Sequence, residues 1–97
     1  MKDKLLKIIN TYGVLPQLKY FQSEVFEFNE AIIDYQYVEV YKGTPAEKGQ
    51  KKHIAEEFAD VMVMLEQFKA YYDLDNKEIM DIMEYKINRQ IDRIKGE

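Results

Sequence analysis

From Leu18 to Tyr35 the apolar residues Leu18, Phe21, Val25, Phe28, Ile32 and Tyr35 recur at spacings of three and four. That period belongs to the α-helix, in which residues three and four apart share a face; a strand would alternate every second residue. The pattern returns in Ile54, Phe58, Val61, Leu65, Phe68 and Tyr72, and again in Ile79, Met83, Ile87, Ile91 and Ile94. Three such stretches leave a chain of 97 residues little room for any other structure.

The punctuation between the stretches sets their expected limits. Leu5, Ile8, Ile9 and Tyr12 make a short amphipathic helix that Gly13 can end, and Pro16 suits the first turn of the next helix. Gly43, Pro45 and Gly49 predict a loop over about 43 to 49. The "YVEVY" before it alternates like a strand, but one short strand has no partner here, so it reads as frayed helix or extended linker. The third helix is expected from about Lys51 to Tyr72. Asp75, with Glu78 three residues on, signals the start of a last helix over about 76 to 95. The expectation is a single all-α domain over 1–97, a short N-terminal helix followed by three longer ones. Helices of about 20 residues are about 30 Å long. One thin layer of them cannot hide 8 Tyr, 5 Phe and 5 Met. A four-helix-bundle core completed by a second copy follows, as a homodimer or a dimer of dimers.

Composition removes several classes of function. No stretch approaches the roughly 20 apolar residues of a membrane span, and "MKDKLLKIIN" lacks the apolar core of a signal peptide. There is no Cys, hence no disulfide framework and no thiolate zinc site, which fits a cytoplasmic location. A formal charge of −4 argues against a nucleic-acid partner, because neutralising phosphates supplies most of such affinity.

The acids are distributed unevenly. Between Tyr20 and Tyr41 stand Glu24, Glu27, Glu30, Asp34 and Glu39 without one Lys or Arg; between His53 and Gln67 stand Glu56, Glu57, Asp60 and Glu66, again without one. Glu24/Glu27 and Glu57/Asp60 are i, i+3 pairs, each projecting from one side of its helix. Like charges at that spacing oppose the helix by about 0.2–0.5 kcal/mol per pair. Facing two such helices together raises the cost, and a divalent cation removes it, since carboxylate oxygens are preferred ligands of Mg²⁺. Acids on amphipathic helices ordinarily form a solvated face, the reading assigned to Glu30, Asp34, Glu39 and Glu66. For the two matched pairs, solvated face and metal site both stand on spacing alone. A di-iron bundle would need Glu-x-x-His, whereas the single histidine, His53, gives His-x-x-Glu and reads as a surface residue.

Taken in order, "SEVFEFNEAI", "HIAEEFADVMVMLEQF" and "YKINRQIDRI" resemble the MazG-like all-α nucleoside triphosphate pyrophosphohydrolases. That family's signature is Glu-Glu-x-x-Glu, a spacer, Glu-Glu-x-x-Asp, and Lys-x-x-Arg on the following helix. The resemblance runs from about Gln17 to Ile94. It implies Mg²⁺, with Mn²⁺ as a possible substitute, held by Glu24, Glu27, Glu57 and Asp60. Lys86 and Arg89 would contact the triphosphate, Glu56 would stand behind the metal ligands or orient water, and Lys19 is a weaker phosphate candidate that reads first as a plain surface lysine. The implied reaction is hydrolysis of a (deoxy)nucleoside triphosphate to the monophosphate and pyrophosphate, a nucleotide-pool housecleaning activity. Ser23 stands where the family has its first Glu, which leaves open the number of metals. It also leaves open a non-catalytic interaction or regulatory module that retains the fold. Phosphoribosyl-ATP is an alternative substrate within the same superfamily, and nothing in the sequence signals the base.

Overall fold

The computed structural model describes residues 1–37 and 43–96, which form four α-helices: α1 (Lys2–Tyr12), α2 (Val14–Tyr37), α3 (Pro45–Tyr71) and α4 (Asn76–Gly96). No strand occurs among the described residues. Most of "YVEVY" lies outside them.

Gly13 makes the joint between α1 and α2 in a single residue. Its φ of 94° is open to glycine at little cost. Its N–H donates to the Ile9 carbonyl at 2.8 Å, while its own carbonyl accepts from the Gln17 N–H at 3.1 Å. One helix therefore ends where the next begins. At the other end of the chain, the Asp75 carboxylate accepts the Glu78 N–H at 3.0 Å and caps α4 as its spacing predicts.

The expected loop over 43 to 49 is corrected. Helix α3 starts at Pro45, which occupies its first turn after an extended Thr44. Proline lacks an N–H that this position would not use, so it starts the helix rather than breaking it. The first turn is held from outside: Glu47 accepts hydrogen bonds from the Tyr35 hydroxyl at 2.7 Å and from the Gly43 N–H at 2.8 Å, with Lys51 Nζ at 3.5 Å. Gly49 is carried inside the helix.

Helices α2 and α3 run antiparallel, as Gln17 against Gln67, Phe28 against Phe58 and Tyr35 against Glu47 show. Their shared face follows a strict three-four alternation: 17, 21, 24, 28, 31 and 35 on α2, and 50, 54, 57, 61, 64 and 68 on α3. This is a coiled-coil-like seam. It is rotated by about one position from the apolar stripes read in the sequence. Phe21, Phe28, Ile54, Val61 and Phe68 lie in it, but Leu18, Ile32, Phe58 and Leu65 stay exposed, and Gln17, Ala31, Glu57 and Met64 take their places; Glu24 enters the seam beside half-buried Val25. Helix α1 lies across both, burying Leu5 and Ile9.

Helix α4 packs against none of the other three. Met83, Ile87, Ile91 and Ile94, expected to face inward, are exposed in the single chain. The accessible surface, 7878 Å², exceeds by roughly 2,000 Å² the ~5,800 Å² typical of a compact folded chain of 11.6 kDa. The radius of gyration is 17.1 Å, against about 12.5 Å for a compact chain of this length. Among the described residues, one chain thus presents a three-helix core and a fourth helix that none of the other three covers.

Candidate metal centre

The seam between α2 and α3 carries two acids inward, Glu24 buried and Glu57 half-buried. Glu24 lies seven residues from Gln17 and from Ala31, so all three fall on the same seam position, and Glu24 is only 6% exposed. Glu57 takes the equivalent place on α3, with Asp60 one turn further toward the rim. One carboxylate oxygen each from Glu24, Glu57 and Asp60 lie within 4.8 Å of one another.

Two of these groups each have one oxygen that is not satisfied by protein. Glu24 Oε2 and Glu57 Oε2 are buried and accept no hydrogen bond. A buried carboxylate oxygen without a partner is costly, and native structures seldom leave one unless something else meets it. The electrostatics run in the same direction. Burial raises the Glu57 carboxyl above its ordinary value; Glu27 and Asp60 push it further, as does Glu24, and His53 opposes them. The His53 Nδ1 stands 4.0 Å from Glu57 Oε1. The Tyr20 hydroxyl is raised as well, first by its hydrogen bond to Glu24 and then by the Glu24 charge, burial, Glu27 and Asp60. Excess negative potential is concentrated here. The donor set is all carboxylate oxygen, which suits a hard divalent cation.

The candidate residues divide into three groups. Glu24, Glu57 and Asp60 converge. Glu27 is near enough for its charge to act on Glu57 and Tyr20, but it lies outside the convergent three, on the exposed side of α2. There it shares a shallow hollow with Lys19, Gln22, Ser23 and Phe26. Ser23 and Lys19 thus lie on this outer side with Glu27, not among the convergent three. Glu56 is exposed on α3. Lys86 and Arg89 are exposed on α4, where the Arg89 guanidinium lies 5.8 Å from the Tyr85 ring centroid. A single chain does not bring them to the acids.

Two residues absent from the sequence reading belong to the same place. Gln17 and Gln67 are 7% and 2% exposed, and the Gln17 Nε2 donates to Gln67 Oε1 at 2.7 Å. Among the described residues the buried polar side chains are Gln17, Glu24 and Gln67, and all three line one cavity of about 560 Å³ with Asp60, Tyr20 and Met64. Gln17 is seven residues before Glu24, and Gln67 seven after Asp60. Following the acidic face two turns along each helix would have found both.

No family model matches the chain, and no curated protein or solved structure matches it significantly.

Proposed function

We propose that the chain is a Mg²⁺-dependent nucleoside triphosphate pyrophosphohydrolase of the MazG-like kind, adding water across the α–β phosphoanhydride to give a monophosphate and pyrophosphate. The observation that carries this reading is the pair of buried, unpartnered oxygens, Glu24 Oε2 and Glu57 Oε2, converging with Asp60. Such a cluster is poorly suited to a purely structural core and well suited to a cation.

Glu24, Glu57 and Asp60 are the residues that would hold the ion, with Glu27 at its edge. A divalent cation held there would offset part of the carboxylate charge, and it would supply a site for the phosphate chain and a means of making bound water more acidic. Glu57, its proton affinity raised by burial, and the exposed Glu56 next to it are the candidates for orienting the attacking water. Lys86 and Arg89 supply the positive charge that a leaving pyrophosphate needs.

Those cations come from a second copy. The roughly 2,000 Å² of excess surface per chain is more than the ~800 Å² per partner of a standard interface. The open halves of the apolar stripes, Leu18 and Ile32 on α2 with Phe58 and Leu65 on α3, match the unpartnered apolar face of α4. A homodimer, or a dimer of dimers, in which α4 lies on the partner's α2–α3 pair covers both faces. It also carries Lys86 and Arg89 toward the partner's acids.

The test is product analysis over a panel of ribo- and deoxyribonucleoside triphosphates with Mg²⁺, phosphoribosyl-ATP included. Monophosphate and pyrophosphate formed in equal amounts, and lost in Glu57→Ala, support the reading. Orthophosphate as the product, or silence across the panel, overturns it, and silence without metal binding favours the non-catalytic module.

A further inference from the structure

The cavity beside the carboxylates has two chemically different ends. At one end are Glu24 and Asp60; at the other are the amides of Gln17 and Gln67, with Tyr20 along the wall. Each glutamine is seven residues from its acid, so the ends are about 10 Å apart along the helices at 1.5 Å per residue. The volume, about 560 Å³, is that of a small-molecule site.

The glutamines are a poor choice for packing alone. Gln17 occupies a seam position that an aliphatic side chain would fill without desolvating an amide. Each carboxamide offers two N–H donors and a carbonyl with two lone pairs. Within the protein, Gln17 Nε2 spends one donor on Gln67 Oε1, and Gln67 Nε2 gives one to the Met64 sulfur at 3.6 Å, a weak acceptor. These bonds leave Gln17 one N–H and its carbonyl, and Gln67 one N–H and one lone pair, on two residues that line the cavity. A flat, uncharged ring with adjacent N–H and acceptor groups is the ligand chemistry that such an end fits. Aromatic Tyr12 and Tyr20 and apolar Ile8, Val63 and Met64 around it suit a ring face.

We infer that Gln17 and Gln67 form a base-contacting pair: the amide end of the cavity takes the nucleobase of the substrate, while its phosphates extend toward Glu24 and Asp60. The assignment rests on the reading of the acid cluster as a cation and phosphate site, but it has its own consequence. The amide end recognises a nucleoside that carries no phosphate and needs no metal.

The experiment is a metal-free NMR titration of the full chain, following the side-chain amide resonances of Gln17 and Gln67. The probes are uridine, cytidine, adenosine and guanosine, with inorganic tripolyphosphate as the base-free comparison. At least one nucleoside is expected to move both resonances saturably while tripolyphosphate leaves them in place. Gln67→Met, which keeps volume but removes the amide, should weaken that nucleoside about tenfold, the effect of losing roughly one good hydrogen-bond pair. Gln17→Met serves the same purpose if the first variant does not fold. Resonances unmoved by every nucleoside, or moved equally by tripolyphosphate, overturn the inference even if Mn²⁺ binding at the carboxylates is intact. Nucleoside binding without any metal binding would support the base pocket and refute the pyrophosphohydrolase reading instead.

Discussion

Glu24 and Glu57 meet across the α2–α3 seam with one oxygen of each buried and unpartnered. Buried oxygens without a donor are costly, and a cation bound between them would offset that cost. Glu24→Gln is therefore expected to stabilise the metal-free protein by about 1 kcal/mol, raising Tm by about 4–8 °C for a chain of this size, by relieving a buried charge. The same substitution should reduce the stabilisation that millimolar Mg²⁺ gives the unmodified protein. Thermal melts with and without Mg²⁺ check both halves.

The raised carboxyl of Glu57 has a definite consequence with pH. A carboxyl whose folded pKa lies above its unfolded value is favoured protonated in the folded state. Its penalty is absent below the ordinary value of 4.5 and grows as pH rises through the raised folded value. The stability of Glu57→Gln minus that of the unmodified protein, measured without metal, should climb over this window and then level off. Chemical denaturation at a series of pH values reads the difference.

Glu47 should show the opposite slope. Hydrogen bonds from the Gly43 N–H and the Tyr35 hydroxyl hold its carboxyl below the ordinary range. Its contribution is present above the unfolded value of 4.5 and disappears as pH falls through the lowered folded value. Glu47→Gln is expected to lower Tm by a few degrees at neutral pH, and the two melting curves should converge in acid.

Gly13 tolerates no side chain easily. At φ 94° an L-residue is strained, so Gly13→Ala should cost about 1–2 kcal/mol and loosen the one-residue joint that sets α1 on α2 and α3. Urea denaturation measures the loss.

The unpartnered helix gives a prediction about assembly. Ile87→Asp with Ile91→Asp should convert the proposed dimer to monomer in light scattering. Mixing Glu57→Ala with Lys86→Ala should restore part of the activity that each variant lacks, because one of the two sites in a mixed dimer would have intact acids from one chain and an intact Lys86 from the other. No recovery on mixing would place both residues in one chain.

Much of the fold could be read from spacing, since period, length and punctuation are local. Gly13 and Asp75 end and begin helices where their chemistry requires. The start of α3 was obscured because Pro45 between Gly43 and Gly49 reads as a break, although proline in a first turn is equally a start. The rotation of α2 and α3 was harder to see. Apolar residues mark a stripe, but which edge of that stripe meets a neighbour depends on the partner helix, and here the seam took Gln17 and Glu57 in place of Leu18 and Phe58. The acids of the site were visible as pairs; the glutamines were not, because an uncharged polar residue in an amphipathic pattern carries no signal until its face is known. The position of α4 is a matter of tertiary contact, for which local sequence holds no record.

Mn²⁺ binding, followed by the loss of the free-ion EPR signal, tests the central claim most directly. The unmodified protein should remove the signal stoichiometrically, and Glu24→Gln and Glu57→Gln should each weaken that binding by an order of magnitude or more, about 1.4 kcal/mol per tenfold. Equal Mn²⁺ binding by all three proteins, or none by any, would contradict it.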